Sequence, residues 1–203
     1  MEMFEKFEAL NEEKKKSIIN AAMTEFLKGG YEKASMNHLV EAAGISKGSL
    51  FYYFKNKKTL YLYLFEYCET MILKNAEKSL GHLDPDFLSR MNQNMRGNVI
   101  LLREFPLVYA FMKSCKAEKS DLVSADIHEI KVKRTDELFG RLYKDIDKSL
   151  FRTDIDIEMA MYSIKATMFQ RVHDYLNQGD LESDVVFEKL EACTEFFRTV
   201  LYK

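Results

Sequence analysis

Residues 35–58 read SMNHLVEAAGISKGSLFYYFKNKK, and their punctuation decides how the rest of the chain is read. Ser35 can cap a helix, because its hydroxyl accepts an amide hydrogen bond that the first turn cannot satisfy internally. Leu39, Val40 and Ala43 recur at helical spacing, which predicts a short helix from about Met36 to Ala43. Gly44 stands where the chain must leave that helix, in the left-handed conformation that a Cβ resists. Ile45 can fill the angle, Ser46 can cap a second helix, and Leu50 and Phe54, four apart, supply its buried face. Lys47, Gly48, Ser49, Phe51, Tyr52 and Tyr53 are left largely outside. Two short helices joined by a glycine turn form a helix-turn-helix pattern, which makes DNA the first partner to weigh.

The outward residues suit a groove. Lys47, in the first turn of the second helix, can reach guanine acceptors or a phosphate, Ser49 can bond either, and Gly48 lets the backbone come close. Tyr52 and Tyr53 offer phenolic hydrogen bonds to phosphate, and Lys55, Lys57 and Lys58 add positive charge. Asn56 can cap the following helix, which then points free amides and a positive dipole end at the backbone. A purely structural reading competes, since helical hairpins occur throughout all-α proteins and a Phe-Tyr-Tyr-Phe run also fills cores. Charge placement favours DNA: between Glu41 and Glu66 lie four lysines and no acid.

Phe26, Gly30, Tyr31 and Ser35, followed by AAGISKGSLFYYFKNKKTL from Ala42 to Leu60, resemble the DNA-binding domain of the TetR family of transcriptional regulators. The resemblance covers roughly the first sixty residues. It implies that Ser35, Met36 and Asn37 approach DNA from the first helix of the pair. It implies that Ser46, Lys47, Gly48, Ser49, Phe51, Tyr52 and Tyr53 line the second, with Lys55, Lys57 and Lys58 near phosphates. Phe51 departs from the family's usual tyrosine, which leaves an apolar contact in place of a phosphate hydrogen bond. The rest of the chain shows no recognisable motif, as in that family's variable ligand domain. The implied division is a DNA-binding domain at 1–56 and a ligand-binding and dimerisation domain at 57–203, joined through a connecting helix at 57–80.

Composition fits an all-α protein. The 203 residues include only two prolines and eight glycines, 47% are hydrophobic, and apolar positions recur every three or four residues. Residues 1–58 hold ten lysines against eight acids, and the remainder twenty bases against twenty-four acids. So small an excess requires a local patch and excludes a histone-like coating protein. The amino end, MEMFEKFEALNEEKKK, is charged and lacks an apolar core. The apolar runs at Tyr61–Phe65 and Pro106–Met112 are too short to span a bilayer, which predicts a cytoplasmic protein with no membrane partner. Cys68, Cys115 and Cys193 lack metal-like spacing and sit in apolar helical contexts. They are expected to be buried thiols, since no neighbouring feature marks a depressed pKa, with a redox role left open.

A preceding helix is expected from Glu12 to Lys28, ended by Gly29 and Gly30, and a long one from Lys57 to about Ser79. Gly81 and Pro85 mark the next boundary, and further helices are expected near 86–103, 106–117, 121–145, 156–177 and 184–202. In the last two, Ile157, Met161, Ile164, Met168, Val172 and Tyr175, then Val186, Leu190, Cys193, Phe197 and Val200, alternate spacings of three and four. An intramolecular hairpin explains this stripe. The family resemblance suggests instead that the pair meets its symmetry mate in a four-helix bundle, placing two recognition helices about 34 Å apart on an inverted-repeat operator.

Phe105, Tyr109, Phe111, Met112, Tyr162, Phe169 and His173 are candidates to line a pocket for a small-molecule effector, because thioethers and aromatic faces adapt to apolar or cationic ligands. Each of them also suits ordinary core. Catalysis is not expected. Gly44, Ser46 and Gly48 match the G-x-S-x-G spacing, yet that elbow needs a preceding strand and here a helix precedes. No metal or other cofactor is expected: His38, His82, His128 and His173 lack the glutamate three residues earlier that a di-iron bundle needs, and no zinc pattern is present. The competing class is a helical small-molecule or protein-binding module that does not bind specific DNA.

Overall fold

The computed structural model describes residues 4–79, 84–178 and 183–203; Gly81 and His82 lie outside the described residues. Among the described residues the order is α1 (Glu5–Glu8), α2 (Glu12–Lys33), α3 (Met36–Ala43), α4 (Lys47–Phe54), α5 (Lys57–Ser79), α6 (Phe87–Glu104), α7 (Pro106–Ala117), α8 (Ser124–Leu142), a 3-10 turn (Lys148–Leu150), α9 (Ile157–Gln178) and α10 (Ser183–Leu201). The chain is all-α, as its periodicity predicts. None of the described helices is long and apolar enough to cross a membrane.

Two compact units form, Met1–Met71 with Phe105–Arg134 and Ile72–Glu104 with Thr135–Lys203. In the first, α2 packs on α3 and α7. Its core holds Ile18, Ala22, Phe26, Leu39, Leu50, Phe54, Leu60, Tyr61 and Leu64. Tyr61 meets the rings of Phe26 at 4.8 Å and Phe111 at 5.4 Å, edge to face. The helical run of α2 continues to Lys33, but Gly30 breaks it with φ 70° and ψ −175°, a region essentially restricted to glycine. α1, which the sequence reading missed, buries Phe7 against Phe54 at 4.7 Å and Tyr63 at 5.4 Å.

In the second unit α6 packs on α9 and α10, which also pack on each other. Phe87, Leu88, Met91, Met95, Val99, Ile164, Met168 and Leu190 are fully buried there. Asp86 caps α6 through the Leu88 amide at 3.0 Å and accepts from the Tyr202 hydroxyl at 2.6 Å, which ties the end of α10 to the start of α6. The apolar stripe read in the last two helices is therefore the inner face of this unit, except for Val200, which stands exposed on the other side of α10. Alternating spacing identifies a stripe and leaves its cover unspecified.

Candidate nucleic-acid interface

The α3–α4 pair is fixed chiefly by its main chain. The Ser35 hydroxyl accepts from the His38 amide at 3.4 Å. At the other end Gly44 adopts φ 64° and ψ 35°, its amide bonds Glu41, and the Ile45 amide bonds Val40 at 3.0 Å. That pair of bonds closes a Schellman motif, which a left-handed residue permits. Ser46 then caps α4, accepting from the Ser49 amide at 3.0 Å, and the two hydroxyls meet at 2.8 Å. Leu50 and Phe54 turn into the core. Lys47 and Gly48 are exposed, Ser49 and Tyr53 are half-buried, and Tyr52 is 60% exposed and Phe51 39%. Asn37 is exposed at the start of α3, beside half-buried Ser35 and Met36.

The lysines divide by task. Lys47 and Lys55 are exposed, and their ammonium groups make no ion pair or hydrogen bond among the described residues. Lys58 pairs with Asp126 at 2.8 Å. Lys57, expected near phosphate, is engaged elsewhere. Its ammonium donates to the carbonyls of Glu32 at 2.9 Å and Ala34 at 2.8 Å, locking the start of α5 to the turn before α3, and its burial lowers its pKa. Lys55 has φ 59° and ψ −46°, and the Asn56 amide reaches back to Phe54 at 2.6 Å. This is a three-residue γ-turn of the rare, strained hand. Asn56 completes the corner by accepting from the Thr59 amide at 2.8 Å, so the first turn of α5 is capped as expected.

Two residues outside the sequence expectations build this surface. Glu25, buried in α2, accepts from the Ser35 amide at 2.8 Å and faces the Lys28 ammonium at 3.6 Å and His38 Nδ1 at 3.6 Å. The Ser35 amide is the main cause that holds its carboxyl below the usual value, with Lys28 and His38 adding to it against the cost of burial. Lys6 of α1 lies 4.0 Å from the centre of the Tyr52 ring, a cation placed over the exposed aromatic of α4.

Comparison with known proteins agrees with this geometry. The profile of the bacterial regulatory proteins of the tetR family matches residues 18–64, spanning α3, α4 and their support on α2 and α5. The chain belongs to the TetR family of transcriptional regulators. It is 21% identical to the fatty acid metabolism regulator protein of Bacillus subtilis over 175 residues, 83% of this chain and 86% of that protein. It is 25% identical to the biofilm operon icaADBC negative transcriptional regulator IcaR of Staphylococcus aureus over 143 residues, 63% of this chain and 77% of that one. The fold of a TetR family transcription regulator from Marinobacter aquaeolei VT8 superposes with a TM-score of 0.68 at 18% identity, covering 94% of this chain and 96% of that one.

In this TetR-family chain the seven pocket candidates fall into both compact units. Phe105, Tyr109, Phe111 and Met112 belong to one, with Phe111 and Met112 buried in its core. Tyr162, Phe169 and His173 belong to the other, where Tyr162, 61% exposed, and His173 stand on the open face of α9. Aromatic spacing marks a helix face without revealing which side of the helix meets the core. That open face also bears Met159, and α10 bears exposed Phe196, 62%, and Val200. Cys68 and Cys115 are buried free thiols. Burial pushes the Cys115 thiol up to about 12 and raises Cys68 as well, so the reactive thiolate is scarce at neutral pH.

Proposed function

We propose that this TetR-family chain is a ligand-responsive transcriptional repressor that binds an inverted-repeat operator as a homodimer in the cytoplasm and is released by a small apolar or aromatic effector. The observation that carries this reading is α4: its apolar side is spent on Leu50 and Phe54, while Lys47, at its capped start, and Tyr52, in its last turn, stand in solvent. Lys47, Ser49 and Gly48 would face base edges, and Ser35, Asn37, Tyr52, Tyr53 and Lys55 the phosphates. Residues 1–56 would read DNA, and 57–203 would take the effector and the second copy. That is a division of labour, distinct from the packing units.

The second copy would cover the outer face of α9 and α10. Met159 and Tyr162 lie three residues apart on one helix, Phe196 and Val200 four apart on its neighbour, and all are exposed. Large apolar side chains in a row on two packed helices mark an association surface, and a two-fold axis would make the patch self-complementary. An effector favouring a conformation with the recognition helices wrongly spaced would then lower operator affinity, and the operator would lower effector affinity by the same factor.

The test is selection of bound sequences from a random DNA pool, followed by salt-dependent titration of variants. Lys47→Ala should change the preferred sequence and reduce the salt slope by about one. Lys58→Ala should do less, since Asp126 already neutralises that ammonium. No enriched sequence for the wild type, and unchanged binding curves for Lys47→Ala and Tyr52→Ala, would favour the helical binding module without specific DNA recognition.

A further inference from the structure

Within the unit formed by residues 72–104 and 135–203, α6 is buried on two faces. One sends Leu88, Met91, Met95 and Val99 into the core shared with α9 and α10. The other carries Arg90, Asn94 and Asn98 in three successive turns, and all three are buried. A buried polar group is costly unless it is bonded. Arg90 is bonded: Nε donates to the Asp84 carbonyl, and its terminal nitrogens donate to the carbonyls of Lys144 and Asp145. Asn98 accepts from the Asn75 amide group at 3.4 Å.

Asn94, between them, differs. It is 0% exposed, and neither its Oδ1 nor its Nδ2 has a hydrogen-bond partner among the described residues. Such a carboxamide carries the full desolvation cost with no return from the folded protein, and an apolar side chain of similar size would remove that cost. Arg90 and Asn98, one turn to either side, attach this face of α6 to the 144–145 loop and to α5. The same unit holds a separate small apolar cluster, Leu73, Ala76 and Leu138, with Ala76 next in sequence to Asn75.

We propose that the Asn94 carboxamide is the polar anchor of an effector site, and that its ligand is an apolar molecule bearing one neutral hydrogen-bonding group, such as an amide or a hydroxyl. This rests on the effector-release reading above. A carboxamide donates and accepts at once, which matches a neutral group that does the same. An ion is disfavoured, because the cation on this face, Arg90, is already spent on three carbonyls and a buried charge without a counter-charge is far costlier than a dipole.

The full chain would be titrated with octanamide, 1-octanol and octanoate at neutral pH, as wild type and as Asn94→Leu, by calorimetry and thermal unfolding. Wild type should bind the two neutral probes and not octanoate. Asn94→Leu should lose about tenfold or more in affinity for octanamide and, without any probe, should unfold about 2–4 °C higher. Octanoate binding as tightly as octanamide, absence of neutral-probe binding, undiminished octanamide affinity in Asn94→Leu, or a lowered unfolding temperature would each overturn the proposal. Operator titration of the same samples separates the two readings. Probe binding that depends on Asn94 but leaves DNA affinity unchanged sinks effector release and keeps the anchor.

Discussion

α3 and α4 are eight residues each, and the bonds that define them are mostly local: two serine caps, a left-handed glycine and a strained γ-turn. α9 and α10 are 22 and 19 residues and are fixed by burial of long apolar stripes against α6. The first pair needs only a few inward side chains, so its outer face is free to carry lysine, serine and tyrosine. The second pair is apolar on both sides, inward through Ile164, Met168 and Leu190 and outward through Met159, Tyr162 and Phe196. A surface specified by backbone geometry can afford polar chemistry, whereas one specified by burial can share its apolar character with a partner chain.

Leu190, buried, and Phe196, 62% exposed, lie on different faces of α10 and separate the two kinds of apolar surface. Leu190→Ala should destabilise the folded chain by about 3 kcal/mol in denaturant unfolding, by transfer and cavity terms; a loss under 1 kcal/mol breaks the assignment of that stripe to the core. Phe196→Glu should instead yield one-chain particles in analytical ultracentrifugation and cost on the order of a hundredfold in operator affinity, because the second half-site is no longer linked. Retention of a two-chain particle would move the proposed interface elsewhere.

Smaller effects probe the other side of the comparison. Gly30→Ala should cost about 2 kcal/mol, since its conformation is closed to other residues and a Cβ would stand 3.2 Å from Glu118 Oε2. Gly44→Ala, where a Cβ meets nothing within 4 Å, should cost only the left-handed strain, about 1 kcal/mol. Equal losses in urea titrations would show that the two turns are held by the same cause. The mildest expectation concerns acid. Glu25 has its folded pKa lowered from 4.5, so its stabilisation is present above that value and is lost as pH falls through the folded pKa. Glu25→Gln should flatten the decline of stability in that acidic window, measured by unfolding at stepped pH; an unchanged decline would assign it to other carboxylates.

Much of the α3–α4 surface was legible because its signals are local. Ser35, Gly44, Ser46 and Asn56 act through bonds to neighbours within five residues, and Leu50 and Phe54 declare their inward face by a spacing of four, so each does in the structure what its type and place predict. Lys57 was not legible, since its ammonium is claimed by carbonyls more than twenty residues away. Glu25 and Phe7 were missed for the same reason: a glutamate on a charged helix and a phenylalanine in a polar amino end look ordinary until folding brings Ser35 and Phe54 beside them.

The amino-acid sequence by itself determined the all-α class, the positions of most of the helices though not of α1, the turn at Gly44 and the family to which the chain belongs, because caps, breakers and periodicity act along the chain. Only the tertiary structure decided which lysines remain available, which face of α9 and α10 is core and which is open, and that Asn94 is buried without a partner. Burial and pairing are relations between distant segments, and the free energy of a charged or apolar side chain depends on what those segments bring to it.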